Sequence, residues 1–242
     1  MNRFIRSVFS FENLKAIILA IAIATLVRSC AFELFRIPSG SMKDTLLIED
    51  VLVVSKYPYG YGKYSFTIPL PIEKSWFQKE PQRGDIIVFR RANSSDGKNY
   101  IKRLIGLPGE TINVVKGVVY IDGVQVKQEA LEGSSDDGEN YKNYIETLPN
   151  GCSYHVKYSS AHLSSFPNVT PKYEIPAGYY FFMGDNRDHS IDSRYLAEMG
   201  FILQENLIGR ADIIAMTAID NPLKWMIGRS SDKRLFSSLK CN

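Results

Sequence analysis

The sequence predicts a mainly β protein behind one N-terminal transmembrane helix. Three observations carry that prediction. Ala16 to Val27 (AIILAIAIATLV) is an apolar stretch without a charge. Short β-branched and aromatic runs, separated by Gly, Pro, Asn and Asp, fill the remainder. No strongly periodic helical pattern follows residue 35.

The apolar stretch comes first. A membrane span needs roughly 20 mainly apolar residues. Leu14 to Phe35 reaches that length if Lys15, Arg28 and Glu33 lie near its ends and snorkel. Arg3, Arg6 and Lys15 precede the apolar stretch Ala16 to Val27 against Glu12, so the positive-inside rule leaves the N-terminus in the cytoplasm. An uncleaved anchor is the preferred reading. A cleaved secretory signal also fits, with small residues at Ser29 and Ala31. A lipoprotein cysteine at Cys30 fits less well, because Arg28 stands two positions before it. A buried soluble helix is the remaining alternative.

The strands follow in order. Asp50 to Lys56 is a short apolar strand. Asp85 to Phe89 is a second, introduced by Arg83-Gly84. Tyr100 to Ile105 is a third, closed by Gly106-Leu107-Pro108-Gly109. Thr111 to Val115 and Val118 to Ile121 flank Lys116-Gly117, and Asp122-Gly123 then turns into Val124-Gln125-Val126 as a hairpin. Tyr179 to Met183 is an aromatic strand, and Leu207 to Ile219 supplies the last ones. Tyr57 to Glu80 and Glu129 to Tyr144 read as loops, the second exposed. The C-terminal dozen residues, with Arg229, Lys233, Arg234 and Lys240, read as a solvated basic tail.

Composition narrows the function. The chain has 242 residues, enough for one substantial core in one or two domains. Its 45% hydrophobic content argues against disorder. Its net charge of +3 (29 Lys+Arg against 26 Asp+Glu) gives no bulk argument for nucleic acid. Cys30, Cys152 and Cys241 show neither a disulfide framework nor a C-x-x-C spacing. His155, His162 and His189 lack a close metal-ligand spacing. Neither a metal nor a cofactor is expected.

Three segments carry chemistry. Phe35-Arg36-Ile37-Pro38-Ser39-Gly40-Ser41-Met42 is an irregular loop that could present a hydroxyl nucleophile, although Ser-Gly-Ser is commonly a plain turn. Lys102 lies inside an apolar strand. Such a lysine usually snorkels, but a desolvated one loses its proton easily and can serve as a base. Met183 to Tyr195 packs three Asp, two Arg, two Ser and a His into thirteen residues after an aromatic strand. Charges of balanced sign there suit an internally hydrogen-bonded loop supporting a site.

In family order, these segments resemble the motifs of bacterial type I signal peptidases, membrane-bound serine endopeptidases of the export pathway. The matching stretches are Ile37 to Met42, Arg83 to Phe89, Tyr100 to Arg103 with Gly106 to Glu110, and Gly184 to Asp188 with Ser190, Asp192, Ser193 and Arg194. The resemblance runs from about residue 34 to about residue 215. It implies a Ser/Lys dyad, with Ser41 as nucleophile and a neutral Lys102 as base. The Ser41 N–H and the Ser39 hydroxyl would hold the oxyanion. Ser190 would orient the lysine, and Asp192 and Arg194 would shape the loop behind it. Phe35, Ile37, Met42, Leu52, Val88 and Ile101 match positions of shallow pockets for small side chains. Each could equally be ordinary core. The substrate would add as a strand along an exposed edge.

The resemblance also implies an organisation. Residues 1–13 would be cytoplasmic and 14–35 the anchor. Residues 36–110 and 176–220 would form the catalytic β domain, 111–175 an accessory β region and 221–242 a tail. The accessory length points to a Gram-negative enzyme with a periplasmic catalytic domain. Preproteins, membrane lipid and the export translocon would be its partners. Two departures stand out. Asp44 occupies a position where the family usually has Pro, and Cys152 has no near partner for the cysteine pair of some Gram-negative members. Two other readings are a membrane-tethered β-rich binding module, which leaves Lys102 and Ser190 unexplained, and a self-cleaving Ser/Lys regulator. The second needs a cleavable Ala-Gly-like bond before Ser41, and Phe32 to Gly40 show none.

Overall fold

A computed structural model describes residues 11–66, 75–91, 97–131, 141–159, 163–217 and 234–241. The chain opens in helix α1 (Phe11–Cys30). Glu12–Cys30 is the one span among the described residues long and apolar enough to cross a membrane, and none of it is buried by protein. Twenty residues at 1.5 Å rise give about 30 Å, the thickness of a hydrocarbon core.

The helix is shorter than the expected anchor. It stops at Cys30, and β1 (Phe32–Arg36) pairs antiparallel with β2 (Val51–Ser55). Glu33 explains the change. Its carboxylate sits 2.7 Å from Nζ of the buried Lys56, which fastens this segment to the β domain.

The remaining strands are β3 (Ile86–Arg90), β4 (Asn99–Gly106), β5 (Thr111–Val115), β6 (Val118–Ile121) and β7 (Val124–Gln125). They continue as β8 (Lys127–Ala130), β9 (Tyr141–Thr147), β10 (Ser153–Ser159) and β11 (Tyr173–Glu174). The last are β12 (Tyr179–Met183), β13 (Ile202–Leu203) and β14 (Leu207–Met216). A seven-stranded sheet runs β1-β2-β14-β3-β4-β12-β13. A four-stranded sheet (β11-β5-β6-β7) and a three-stranded sheet (β10-β9-β8) hold most of the other strands, in the stretch expected to be accessory. The Asp122-Gly123 turn has φ of 50° and 78°, the paired positive values a type I′ hairpin requires.

Alternation along β3 and β4 divides the core. Ile86, Val88 and Ile101 face one cluster with Ile37, Met42, Leu52 and Val54. Ile87, Phe89 and Leu104 face another with Phe182 and Leu207. A third cluster joins the accessory sheets to β12 through Val114, Val156 and Phe181.

Three expectations are corrected here. Much of Glu129 to Tyr144 was expected to be a loop. Its ends belong to β8 and β9, while residues 132–140 lie outside the described residues. The C-terminal segment is not a solvated tail where it is described. Leu239 is buried, its N–H donates to Asp212 O, and Arg234 Nη1 lies 2.8 Å from Asp50. Cys152 has a partner after all, in a disulfide to Cys241 with Cα atoms 5.1 Å apart. The 89-residue separation hides that pair from any spacing rule. Residues 218–219 of the expected last strands lie outside the described residues.

Candidate active site

Ser41 sits on an irregular turn between β1 and β2. Backbone bonds from Ile37 N to Asp50 O and from Glu49 N to Ile37 O clamp the start of this turn. Lys43 N donates to Gly40 O and Leu46 N to Met42 O, tightening it around the serine. From across the site, Asn186 N–H donates to Ser41 O, and its side-chain amide donates to Gly40 O. The serine backbone is therefore held from both sides.

Lys102 comes from the middle of β4, paired with Ile87 of β3. It is buried, and its Nζ donates to Ser41 Oγ at 2.6 Å and to Ile101 O at 3.0 Å. Burial pulls its pKa down from 10.5 to about 8. The charges of Asp192 and Asp185 oppose that shift, and Arg194 adds to it. Ser39 Oγ lies 3.4 Å from Ser41 Oγ.

The loop after β12 closes the back of the site. Gly184 N–H donates to Asp192 Oδ2, and Arg194 grips Asp192 through Nε and Nη2 at 2.8 and 2.9 Å. Burial raises the Asp192 pKa, but the Arg194 charge and these hydrogen bonds outweigh it and leave the carboxyl low. Ser190 Oγ is buried and hydrogen-bonds to neither Ser41 nor Lys102. An added Cβ on Gly184 would meet Ser190 Oγ at 2.3 Å and Ser41 O at 2.5 Å, so only glycine fits between them.

Two further ion pairs support the loop. Arg103, next to the lysine, chelates Asp185 at 2.9 and 2.7 Å, and Asp185 also accepts from Thr45. Arg187 reaches the accessory sheet, where it pairs with Glu146 and Tyr158. Glu146 was invisible to sequence reasoning, since nothing marks one acid on a polar strand as buried.

An apolar cavity of about 200 Å³ flanks the turn. Phe35, Ile37, Val88 and Ile101 line it, as four of the expected pocket positions. Met42 and Leu52 lie behind it in the core, fully buried. Asp44, at φ 83°, points its carboxylate toward Lys157 Nζ at 3.9 Å. The described residues contain no cluster of metal-ligating side chains.

A β-rich domain that buries a serine against a lysine, behind an apolar helix, defines a membrane-tethered serine peptidase. Residues 10–216 match the family described as signal peptidase, peptidase S26. The signal peptidase I of Rickettsia akari (strain Hartford) is 43% identical over 205 residues, 80% of this chain and 75% of that protein. That of Rickettsia typhi (strain Wilmington) is 42% identical over 205 residues, with the same coverage. A crystal structure of a signal peptidase I from Enterococcus faecalis V583 is 30% identical, covering 55% of this chain and 97% of that one at a TM-score of 0.32. The chain belongs to the signal peptidase family, peptidase S26, and its activity is the removal of signal peptides.

Proposed function

We propose that Ser41 and Lys102 carry out this cleavage as a dyad. The contact of 2.6 Å between Lys102 Nζ and Ser41 Oγ, inside a desolvated pocket, is the observation that carries the reading. With Lys102 neutral, Ser41 Oγ attacks the scissile carbonyl as its proton passes to Nζ. The Ser41 N–H and the Ser39 hydroxyl hold the tetrahedral oxyanion. Loss of one such donor costs about 2.7–4 kcal/mol of barrier. The ammonium then protonates the leaving amine and the acyl-enzyme forms. Neutral again, Lys102 takes a proton from water as the water attacks the ester; when that second tetrahedral intermediate collapses, the ammonium returns the proton to Ser41 Oγ and the signal peptide leaves.

Ser190 stands beside the pair to orient the lysine when substrate arrives, while Asp192 and Arg194 hold the loop's shape. The cavity beside Phe35, Ile37, Val88 and Ile101 takes the small residues before the cut bond. The 1–13 segment is cytoplasmic, α1 anchors the chain in the inner membrane, and the catalytic domain works in the periplasm beside the translocon. Arg3 and Arg6 ahead of the span, and Lys15 near its start, support that orientation.

The test is cleavage of a preprotein bearing an Ala-x-Ala site by detergent-solubilised protein, read by sequencing the new N-terminus. Ser41→Ala and Lys102→Ala should each abolish it in a folded protein. Turnover by either variant sinks the dyad.

A further inference from the structure

The peptide units on both sides of Ser41 are tied to Asn186. The main-chain N–H of Asn186 donates to Ser41 O at 3.1 Å. Its side-chain Nδ2 donates to Gly40 O at 3.0 Å. Gly40 O and the Ser41 N–H belong to one peptide unit. In a trans peptide the two lie in one plane and point in opposite directions. Whatever fixes Gly40 O therefore aims the Ser41 N–H.

We propose that Asn186 is a positioning residue for the oxyanion: by gripping Gly40 O, it points the Ser41 N–H at the oxygen on which negative charge develops. This rests on Ser41 as the nucleophile.

Packing does not set the plane of that peptide. Among the described residues beyond its chain neighbours, an added Cβ on Gly40 would meet only Ile48 Cδ1, at 3.8 Å. Hydrogen bonds set it instead. The bond from Lys43 N–H, at 3.1 Å, lies within the same turn and moves with it. The bond from Asn186 crosses to another part of the fold, and its mount is firm. Asp185, the preceding residue, is chelated by Arg103, and its carbonyl accepts from the Lys157 N–H of β10 at 3.0 Å. Two donors on one carbonyl oxygen also draw electron density from the amide, which makes its N–H a stronger donor.

The chemistry of the contact orients the side chain. Gly40 O can only accept, so Nδ2 faces it and Oδ1 faces away. Asn186 is 6% exposed, and that Oδ1 has no hydrogen-bond partner among the described residues. A buried acceptor without a partner costs stability. The oxygen half of the amide thus adds nothing to the fold, and the donor half is what an asparagine supplies here.

Two variants remove the donor. Asn186→Leu keeps the branched shape and also removes the unpaired oxygen, while Asn186→Ala truncates the side chain. Both keep the main-chain bond to Ser41 O. The full chain in a non-ionic detergent cleaves a peptide bearing an Ala-x-Ala site. We expect kcat and kcat/KM to fall together by about 30-fold, short of the roughly 100- to 1000-fold that outright loss of a donor costs. KM should stay unchanged, because the oxyanion forms only as the chemistry proceeds. Acylation and deacylation both pass through it, so whichever limits kcat reports the loss. A peptide aldehyde, whose carbonyl takes up the Ser41 hydroxyl as a tetrahedral hemiacetal, should lose affinity by a similar factor. The acid limb of the pH profile should keep its midpoint, since Lys102 is untouched. Asn186→Leu should melt no lower than the wild type. A normal kcat in either folded variant, a loss confined to KM, or a displaced midpoint overturns the proposal. Failure of both variants to fold would assign Asn186 to the fold and overturn it as well. Cleavage that survives Ser41→Ala sinks the dyad reading instead.

Discussion

Lys102 Nζ lies 2.6 Å from Ser41 Oγ, although 61 residues separate the two in sequence. Their meeting depends on three separate pieces of the fold. Strand β4 supplies the lysine, the turn between β1 and β2 supplies the serine, and Asn186 in the loop after β12 fixes the serine backbone.

The acid limb of kcat/KM should report the lysine. Its pKa is pulled down to about 8 by burial, so half the enzyme holds a neutral base near that pH. Below it, activity should fall about tenfold per pH unit, because a protonated Nζ cannot accept the Ser41 proton. The check is a pH profile at substrate concentrations far below KM. A midpoint near 6.5 would identify a histidine base and reject the lysine.

The same shift has a consequence for stability. The folded-state pKa is about 8 and the ordinary value 10.5, so between them the unfolded chain binds more protons. Stability therefore rises with pH across that window, and below about 8 the buried charge costs the fold in full. Lys102→Met should stabilise the protein at pH 7 by on the order of 1–3 kcal/mol while removing activity. Its hydrogen bonds to Ser41 and Ile101 offset part of the gain. Thermal melts at pH 7 and above pH 10.5 check this, and the advantage should vanish at the higher pH. A variant less stable at both would contradict the buried-charge account.

What the sequence revealed depended on how local the signal was. Val51–Ser55 and Ile86–Arg90 were legible because their apolar runs end in turn residues. Ser41 and Lys102 were weak signals as single residues, a hydroxyl in a Pro/Gly turn and a lysine in an apolar strand, and only the resemblance of several motifs in family order singled them out. Strand β1 was hidden because no Pro or Gly separates its apolar residues from those of α1. Strand β9 was hidden because YKNYIET has no regular apolar alternation and buries Glu146. Strand β10 does alternate, with Tyr154, Val156 and Tyr158 in one core cluster, and its signal was passed over. The Cys152–Cys241 bond was out of reach because only the tertiary fold brings its ends together.

Gly184→Ala should cripple catalysis more than stability. The new methyl would sit 2.3 Å from Ser190 Oγ and 2.5 Å from Ser41 O, so one of these must shift. Overpacking of this kind costs about 1–3 kcal/mol. A displacement near 1 Å at the nucleophile can cost about 100-fold in rate. Steady-state kinetics beside a melting curve separate the two effects. A folded variant with normal kcat would show that the close approach at Gly184 does not matter for the chemistry.

The disulfide should stabilise without serving the reaction. It ties the C-terminal segment to the turn between β9 and β10, beside Gly84. Cys241→Ser should cost about 2–5 kcal/mol. Reductant should lower the Tm of the wild-type protein and leave that of the variant unchanged. Calorimetry with and without reductant decides it, and an unaltered wild-type Tm would mean the bond adds nothing.

Glu146 and Arg187 couple the accessory sheet to the catalytic loop, and a mutant cycle can separate their two roles. Both are almost fully buried. Arg187 Nη1 lies 2.7 Å from Glu146 Oε1 and 2.6 Å from the Tyr158 hydroxyl, and its Nε donates to Gly184 O at 3.1 Å. Glu146→Leu alone strands a guanidinium in the interior and should cost about 3–5 kcal/mol. Adding Arg187→Met removes the stranded charge, and apolar replacements of a buried pair are often neutral, so most of that loss should return. The catalytic role should not return with it. The double variant lacks the bond from Arg187 Nε to Gly184 O, leaving the glycine beside Ser41 and Ser190 less firmly held. We expect a melting temperature near that of the wild type and a kcat about tenfold lower. Equal instability of single and double variants would refute the ion-pair account. Full recovery of kcat in the double variant would show that the pair serves the fold and not the placement of the dyad.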